Sequence, residues 1–325
     1  MKKFFIFNII ILFFLIILAE LSTRIFHLSD LMGTEDHLYY IKKVNEYEYH
    51  ALNPNTEAKI YKKKVYTDQY GYRVPILNYQ YDKNKKSIFF IGDSTTFGNG
   101  VLEESTFIGK FRKKFNDYNF INSSVPGYNL PHHLSELDSI NKFNNIKKIF
   151  YIYTLNDLSK ISEEQEVNRG EEIISKFRNL NFLNQVNNFL RDKSYFYMWF
   201  KGVLTDPASR HFKYDYNAYK VKSNLVFLEN SLNEIKKYFI NKDIELKVII
   251  LPYEFQTREI NCHTKYLMPQ EILVKKLKKL KINYSNYTKD FCAYPKSKTL
   301  FYKFDPMHLS IKGHDFVYNL LKNDI

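Results

Sequence analysis

The pattern of hydrophobic and polar residues divides the chain into three parts. From Phe4 to Ala19 the residues are almost all apolar, with Asn8 as the one interruption. Residues 21–85 contain no long periodic segment, whereas from residue 86 onward short β-branched and aromatic runs alternate with longer amphipathic segments. That alternation is typical of a parallel sheet whose strands are connected by helices. The pattern predicts an apolar N-terminal helix, a less regular region and an α/β domain.

Four strands and four amphipathic helices are predicted in the third part. The strands are 87–91, 118–122, 148–154 and 246–251, and the helices are 106–115, 134–143, 223–239 and 310–321. A mostly parallel sheet with helices on both faces is a three-layer α/β/α sandwich of the flavodoxin-like kind. We therefore predict one such domain over residues 86–325, preceded by a single transmembrane helix.

Residues 158–222 are too numerous for a single crossover between strands, so a helical insertion is predicted there. Phe182, Val186 and Phe189 recur at helical spacing, and an aromatic cluster follows at residues 195–200. The insertion could be a subdomain that packs its own core, or a lid that meets an acyl chain or the membrane surface. The first interpretation is favoured, because apolar stripes at helical spacing usually belong to a core.

The apolar run predicts a membrane anchor, which we place at residues 1–20. The run is slightly short for a span, but Lys2, Lys3 and Glu20 flank it and can reach the headgroups. A cleaved signal peptide is the alternative. An uncleaved anchor is favoured, because Ile17 stands where a cleavage site has a small residue and residues 22–26 continue the helical pattern. The lysines keep their end in the cytoplasm, so the rest of the chain is predicted to face the periplasm or the exterior.

Residues 21–85 are interpreted as a stalk that merges into a small cap. Residues 67–73 have the composition of a turn, in which Gly71 supplies a permissive backbone. Arg73, at the end of this turn, is predicted to have a structural role.

Composition supports a folded protein. The chain has 325 residues, of which 45% are hydrophobic and 17% aromatic, which is ample for a packed core. The formal charge of +13 comes from 48 Lys and Arg against 35 Asp and Glu. The lysines are scattered, which favours a solvated surface over a site for anionic lipid or acidic glycan. No basic motif stands out and the anchor directs the domain outside the cytoplasm, so nucleic-acid binding is not predicted.

The two cysteines, Cys262 and Cys292, lie in polar, loop-like sequence. In an oxidising compartment they could pair and close a loop of about thirty residues, worth on the order of 3 kcal/mol. Two free thiols are the alternative. No His and Cys pairs occur at ligand spacing, so no metal site is predicted.

Candidate chemistry is concentrated at the ends of the predicted strands. The first strand runs into the Gly92-Asp93-Ser94 segment, and the second into residues 122–127, which end in Gly127. The third is followed by residues 154–157, which include Asn156, and the segment from Asp305 to His308 precedes the last helix. The carboxyl ends of parallel strands are where open α/β sheets place their sites. These segments therefore predict one site.

The residue types in that site are those that acyl transfer needs. Ser94 can act as the nucleophile, with His308 taking its proton and Asp305 holding the imidazole tautomer, since a spacing of three residues lets the carboxylate reach the ring. The backbone N–H at Gly127 and the side-chain amide of Asn156 can donate to the oxyanion that forms in the transition state.

Together these four segments resemble the SGNH (GDSL-like) hydrolase family, whose conserved blocks occur in this order. The resemblance covers residues 86–325 and implies that Ser94, Asp305 and His308 form a catalytic triad. It also implies an oxyanion hole made by Ser94, Gly127 and Asn156. The sequence departs from the family pattern at two positions. Thr95 replaces the leucine of the Gly-Asp-Ser-Leu motif, and Thr154 replaces the glycine that usually begins the third conserved block. The anchor and the insertion are similar to those of bacterial, membrane-tethered members, which implies a single-pass protein of the inner or cell membrane.

Other titratable residues are given structural interpretations. His132 and His133 follow Pro131 and are predicted to be surface or capping residues. His314 is predicted to face solvent. Asp93 and Asp157 are predicted to fix their loops through backbone hydrogen bonds.

The predicted function is a serine esterase that cleaves acyl esters, possibly O-acetyl esters of an envelope glycan or lipid, through an acyl-enzyme and without a cofactor. An O-acyltransferase with the same triad, which passes the acyl group to a sugar hydroxyl, is the first alternative. A catalytically idle carbohydrate- or lipid-binding module is the second.

Overall fold

A computed structural model of the chain describes residues 2–44, 47–143, 145–158, 181–240, 242 and 244–325. Within these residues the main sheet has eight strands in the order β10-β9-β8-β6-β7-β5-β4-β3, and β1 and β2 pair separately as an antiparallel hairpin. The strands are β1 (Tyr39–Val44), β2 (Tyr47–Leu52), β3 (Glu57–Ile60), β4 (Lys63–Thr67), β5 (Arg73–Val74), β6 (Lys86–Ile91), β7 (Tyr118–Asn122), β8 (Ile146–Tyr153), β9 (Glu245–Ile250) and β10 (Asn283–Asn286).

Helices precede, connect and follow these strands. They are α1 (Lys2–Ile25), α2 (Ser94–Phe97), α3 (Phe107–Lys114), α4 (Leu130–Ser135), α5 (Asn181–Lys193), α6 (Tyr195–Thr205), α7 (Pro207–Ala218), α8 (Lys222–Ile240), α9 (Met268–Lys279), α10 (Thr288–Ala293) and α11 (Ile311–Leu321).

Strands β6 to β10 form the parallel part of the sheet. β6 pairs with β7 on one side and β8 on the other, so that Phe90 lies opposite both Asn122 and Phe150. Numbered from β6, the spatial order is 2-1-3-4-5, the order of flavodoxin-like sheets. In such sheets the crossovers leave the first strand in opposite directions, and the crevice between the first and third strands is the usual ligand site. Here that crevice lies between the carboxyl ends of β6 and β8.

Two hydrophobic cores lie on opposite faces of the sheet. Alternate residues of β6 point to different cores: Phe89 joins one that includes Leu228 of α8, and Phe90 joins the other with Phe111 of α3. The period of two along β6 therefore separates the two helical layers. The predicted three-layer α/β/α fold with a mostly parallel sheet is confirmed.

The four predicted strands are all present, within two residues of their predicted ends. The helices predicted at 106–115, 223–239 and 310–321 correspond to α3, α8 and α11. The helix predicted at 134–143 is different: α4 ends at Ser135, and a 3₁₀ segment, Leu137–Lys142, follows.

The region predicted as a stalk and cap contributes strands to the main sheet. β3, β4 and β5 extend it in antiparallel fashion, and Arg73 of β5 pairs with Asn122 of β7. We did not predict these strands or β10. The domain limits at residues 21, 86 and 158 stay predictions.

The N-terminal apolar helix is present as α1. The segment Lys3–Ile25 is long and apolar enough to cross a membrane, and the most apolar 18-residue stretch within it has no buried residue. Residues 159–180 of the predicted insertion lie outside the described residues, and the rest of it forms α5, α6 and α7.

Candidate active site

Ser94 is the first residue of the short helix α2, directly after β6. The carboxylate of Asp93 caps this helix by accepting a hydrogen bond from the backbone N–H of Thr95 at 2.8 Å. Gly98 ends the helix in the left-handed region, at a φ of 87°. A glycine adopts this conformation without steric cost, so the chain can turn sharply after a single turn of helix. Ser94 is thereby held at the carboxyl end of β6, with only 8% of its surface exposed.

Asp305 and His308 lie on a loop that a β-bridge closes. Phe301 and Leu309 form the bridge, and the backbone N–H of Tyr302 donates to the carbonyl of His308 at 3.0 Å. Inside the loop, Oδ1 of Asp305 accepts the backbone N–H groups of Met307 at 2.9 Å and His308 at 2.8 Å. The carboxylate therefore fixes the turn that carries the imidazole.

The structure brings Ser94, His308 and Asp305 into one hydrogen-bonded chain. Nε2 of His308 lies 2.8 Å from Oγ of Ser94, and Nδ1 of His308 lies 2.7 Å from Oδ2 of Asp305. With the Nδ1 proton directed at the carboxylate, Nε2 can accept the proton of the serine hydroxyl. This is the geometry that activates a serine nucleophile.

The surroundings shift the pKa values of both partners. Burial by itself lowers the pKa of His308, but the charge of Asp305 and the hydrogen bond to it outweigh burial and raise this pKa above its usual value. Burial by itself raises the pKa of Asp305, whereas the charge of His308, together with hydrogen bonds from His308 and Met307, lowers this pKa overall. The pair thus favours an ionised carboxylate that stabilises an imidazolium.

Asn156 lies in a polar network with Asp93 and Thr154. Its Nδ2 donates to Oδ2 of Asp93 at 2.8 Å, and its Oδ1 accepts the Thr154 hydroxyl at 2.5 Å. The Thr154 hydroxyl also lies 3.0 Å from Oδ2 of Asp93. Thr154, which departs from the family pattern, therefore helps to orient the Asn156 amide. Asp93 fixes both its own loop and the loop after β8.

The loop that contains Gly127 is joined to the nucleophile loop by its backbone. The N–H of Val125 donates to the carbonyl of Gly92 at 3.2 Å. Gly127 itself is exposed and has a φ of 85°, and a Cβ at this position would lie 3.2 Å from the His50 ring. Both predicted oxyanion segments thus border the nucleophile loop, with Asn156 bound to Asp93 and Gly127 at the surface.

Two residues outside the predicted site also shape it. The guanidinium of Arg73 is fully buried and donates to three carbonyls after Ser94, those of Phe97 at 2.6 Å, Gly98 at 2.7 Å and Val101 at 2.6 Å. Tyr61 lies in the turn between β3 and β4, and the centre of its ring is 5.6 Å from the centre of the His308 ring. The expected structural role of Arg73 is confirmed, whereas nothing in the local sequence pointed to Tyr61.

Two histidine predictions were wrong. His133 is buried, and its Nε2 lies 3.2 Å from Oδ1 of Asp157. His314 is also buried, and its Nδ1 accepts the backbone N–H of Phe107 at 3.4 Å. Both occupy the inner face of their helices, at helical spacing from buried apolar residues, Leu130 on α4 and Val317 on α11, and that spacing was the missed signal. His132 does cap α4, by reciprocal hydrogen bonds with Asn129.

A disulfide joins Cys262 and Cys292. It holds the segment after β9, where the backbone N–H of Glu254 donates to the carbonyl of Pro306 at 2.8 Å. The disulfide therefore stabilises a segment that contacts the loop of Asp305 and His308. Among the described residues, no group of three or more His, Cys, Asp or Glu is placed to hold a metal ion.

No protein-family model matches the chain, and no curated protein matches it. Among solved structures it is similar to TesA, at 11% identity and a TM-score of 0.42, over 74% of this chain and 100% of that one. It is similar to a lipolytic protein of the G-D-S-L family from Veillonella parvula, at 10% identity and a TM-score of 0.39, over 73% and 97%. A family 3 carbohydrate esterase from Clostridium thermocellum matches at 12% identity and a TM-score of 0.41, over 74% and 94%. Likenesses this distant do not define an activity, which the residues of the site must support on their own.

Proposed function

We propose that the chain is an SGNH-type serine hydrolase that cleaves acyl esters through an acyl-enzyme. The observation that carries this proposal is the hydrogen-bonded chain from Ser94 through His308 to Asp305, at 2.8 Å and 2.7 Å. Ser94 attacks the ester carbonyl while His308 takes its proton. His308 then returns the proton to the leaving alcohol, and a water molecule, activated in the same way, releases the acyl group.

The oxyanion is proposed to be stabilised at the switch point of the sheet. The backbone N–H of Ser94, the backbone N–H of Gly127 and the amide of Asn156 are the proposed donors. The Asn156 amide has two N–H groups, and the carboxylate of Asp93 accepts a hydrogen bond from this nitrogen. That bond orients the amide in advance of the reaction, which is the property that makes such donors effective.

An O-acyltransferase is the second candidate, and the burial of the nucleophile favours it. Ser94 is only 8% exposed, and the Tyr61 ring lies beside His308. A site closed to water extends the lifetime of an acyl-enzyme and lets an acceptor hydroxyl compete with hydrolysis. The two functions are separated by adding sugar acceptors to an ester assay, because a transferase forms acylated sugar at the expense of free acid.

The proposed location is a membrane-anchored protein whose catalytic domain faces the periplasm or the exterior. The end of α1 contacts the folded domain, because the Glu20 carboxylate accepts hydrogen bonds from the backbone N–H groups of Tyr195 and Phe196. The disulfide is in keeping with an oxidising compartment.

The test is ester hydrolysis and covalent labelling of the purified full chain. Wild type is expected to cleave p-nitrophenyl acetate or butyrate and to react with a fluorophosphonate probe, and Ser94→Ala should lose both. Ser105→Ala, a serine outside the site, is the matched control. A folded wild-type protein that neither cleaves esters nor labels would rule out the esterase and favour the binding module.

A further inference from the structure

We propose that α5 and α6 lie in the lipid headgroup layer of the membrane that holds α1, and that they bring the catalytic loop to the membrane surface. This inference rests on the proposed anchor. The proposed occupant of the exposed apolar side chains on these two helices is the lipid bilayer, and four observations support it.

The first observation fixes the height of α6 relative to the membrane. Glu20 is the first charged residue after the apolar run that begins at Phe4, so its carboxylate belongs at the headgroup level. Its oxygens accept the backbone N–H groups of Tyr195 at 3.1 Å and Phe196 at 2.9 Å, in the first turn of α6. The N-terminus of α6 is therefore at the headgroup level too.

The second observation is the exposed apolar surface of both helices. Phe182 and Phe189 of α5 are 70% and 62% exposed, and Val203 and Leu204 of α6 are 56% and 66% exposed. α6 also packs against the end of α1: Thr23 is buried there, and the hydroxyl of Ser29, just beyond α1, donates to the carbonyl of Tyr195 at 2.6 Å. Apolar side chains next to a span, at headgroup level, are typical of an interfacial helix.

The third observation is the charge at the junction between α1 and α6. The guanidinium of Arg24 lies 4.9 Å from the centre of the Tyr195 ring and donates to the carbonyl of Lys193. Arg24 and Lys193 are both exposed, and each also pairs with a carboxylate at 2.7 Å, Arg24 with Glu20 and Lys193 with Asp192. Long cationic side chains beside an aromatic ring can extend from such pairs to lipid headgroups. A protein partner would not require this combination of exposed apolar and basic groups beside a span.

The fourth observation connects the helices to the catalytic loop. Phe304, which precedes Asp305, packs against Gly202 of α6 so closely that a Cβ on Gly202 would lie 2.2 Å from the ring. Lys303 binds the carbonyl of His27, just beyond α1. Since Gly202 is seven positions after Tyr195, α6 rises about 10 Å between its contact with Glu20 and its contact with Phe304. The catalytic loop is therefore about 10 Å, measured along α6, from the end of the span.

The experiment uses Trp199 of α6, the single tryptophan of the chain. The full chain is reconstituted into vesicles of phosphatidylcholine and phosphatidylglycerol, with or without lipids brominated near the headgroup end of their acyl chains. Bromine should quench the emission of Trp199. The double variant Phe182→Asp with Phe189→Asp should lose quenching and shift the emission to longer wavelength, since charged side chains withdraw α5 and α6 from the apolar layer.

The matched control is Val226→Asp with Ile240→Asp, which changes two exposed apolar residues of α8 and should leave quenching unchanged. Circular dichroism melts verify that both double variants fold. Equal emission from Trp199 in brominated and plain vesicles, with α1 shown intact by mass spectrometry, would overturn the proposal, and so would loss of α1 by cleavage. Fluorophosphonate labelling of Ser94 is read separately, so failure of the proposed function is distinguishable from failure of the membrane contact.

Discussion

The Tyr61 ring lies edge-on to the imidazole of His308, with ring centroids 5.6 Å apart and planes at 89°. Tyr61 and Lys62 form the turn between β3 and β4, and both have left-handed backbones, with φ of 50° and 63°. Residues other than glycine adopt this conformation at some cost, and such positions occur often at functional sites. The turn is held by a hydrogen bond from the Tyr61 N–H to the carbonyl of Gly33 at 2.7 Å and by an ion pair between Lys62 and Asp192.

The first prediction concerns Tyr61→Ala, which exposes His308 to water. Burial is the influence that lowers the pKa of His308, so exposure should raise this pKa further. His308 must be neutral to accept the serine proton, so the acid limb of the kcat/KM profile should move to higher pH, by up to about one unit. Tyr61→Phe keeps the ring and serves as the control. An acid limb at the same pH in wild type and Tyr61→Ala would show that the ring does not shield the imidazole.

The second prediction concerns Asp305→Asn, for which the acid limb should shift in the opposite direction. The negative charge of Asp305 raises the pKa of His308 against burial, so the variant should move the acid limb to lower pH. The rate should fall by about 10⁴-fold in kcat, the loss seen when a triad carboxylate becomes an amide. A pH–rate profile of the esterase reaction measures both effects. A large loss of kcat with an acid limb at higher pH would contradict the proposed role.

The third prediction concerns Asn156→Ala. If its amide stabilises the oxyanion, kcat should fall by about 10²–10³ while KM changes little. Thr154→Val is the comparison, because it removes the hydroxyl that contacts Oδ1 of Asn156 and Oδ2 of Asp93 but keeps the amide. Its effect should be smaller. An equal loss in both variants would assign Asn156 a positioning role in the polar network.

Sequence patterns predicted the parts of the fold and site that depend on local order. The strands β6 to β9 are recognisable because their residues are apolar on both faces, and the contact between Asp305 and His308 follows from their separation of three residues. β5 has only two residues and β10 is polar, so neither carries a periodic signal. The contacts of Tyr61 and Arg73 with the site arise from pairings between distant parts of the chain, and no local pattern encodes them.

The fourth prediction concerns Arg73→Lys. A single ammonium group replaces the planar guanidinium, so it cannot reach all three carbonyls that Arg73 binds. Each buried carbonyl left unpaired costs about 1–3 kcal/mol, so the melting temperature and ester turnover should both fall, since these carbonyls follow the Ser94 helix. Arg210→Lys, on the exposed surface, is the control. If Arg73→Lys has the melting temperature and ester turnover of the wild type, the loop after Ser94 is stable without the three hydrogen bonds from the guanidinium.

The fifth prediction is a dependence of stability on pH caused by His314. Burial, aided by the charges of Arg73, Lys110 and His308, lowers the pKa of His314 to about 3. Below about pH 6.5 the imidazole is protonated in the unfolded chain, whereas in the folded chain it stays neutral. The neutral, buried His314 therefore contributes fully to the free energy of unfolding above about pH 6.5, and this contribution declines as the pH falls toward 3.

His314→Gln removes this titration and keeps an acceptor for the Phe107 N–H. In melts between pH 7 and pH 4, the wild type should lose more of its free energy of unfolding than the variant, by up to about 1.4 kcal/mol for each pH unit below 6.5. His263→Gln, at an exposed position, should follow the wild type. If His314→Gln declines as steeply as the wild type, another buried group must be responsible for the loss of stability in acid. Asp157 would act in the opposite direction, because burial raises its pKa against the lowering influence of His133, so the folded chain binds this proton before the unfolded chain does.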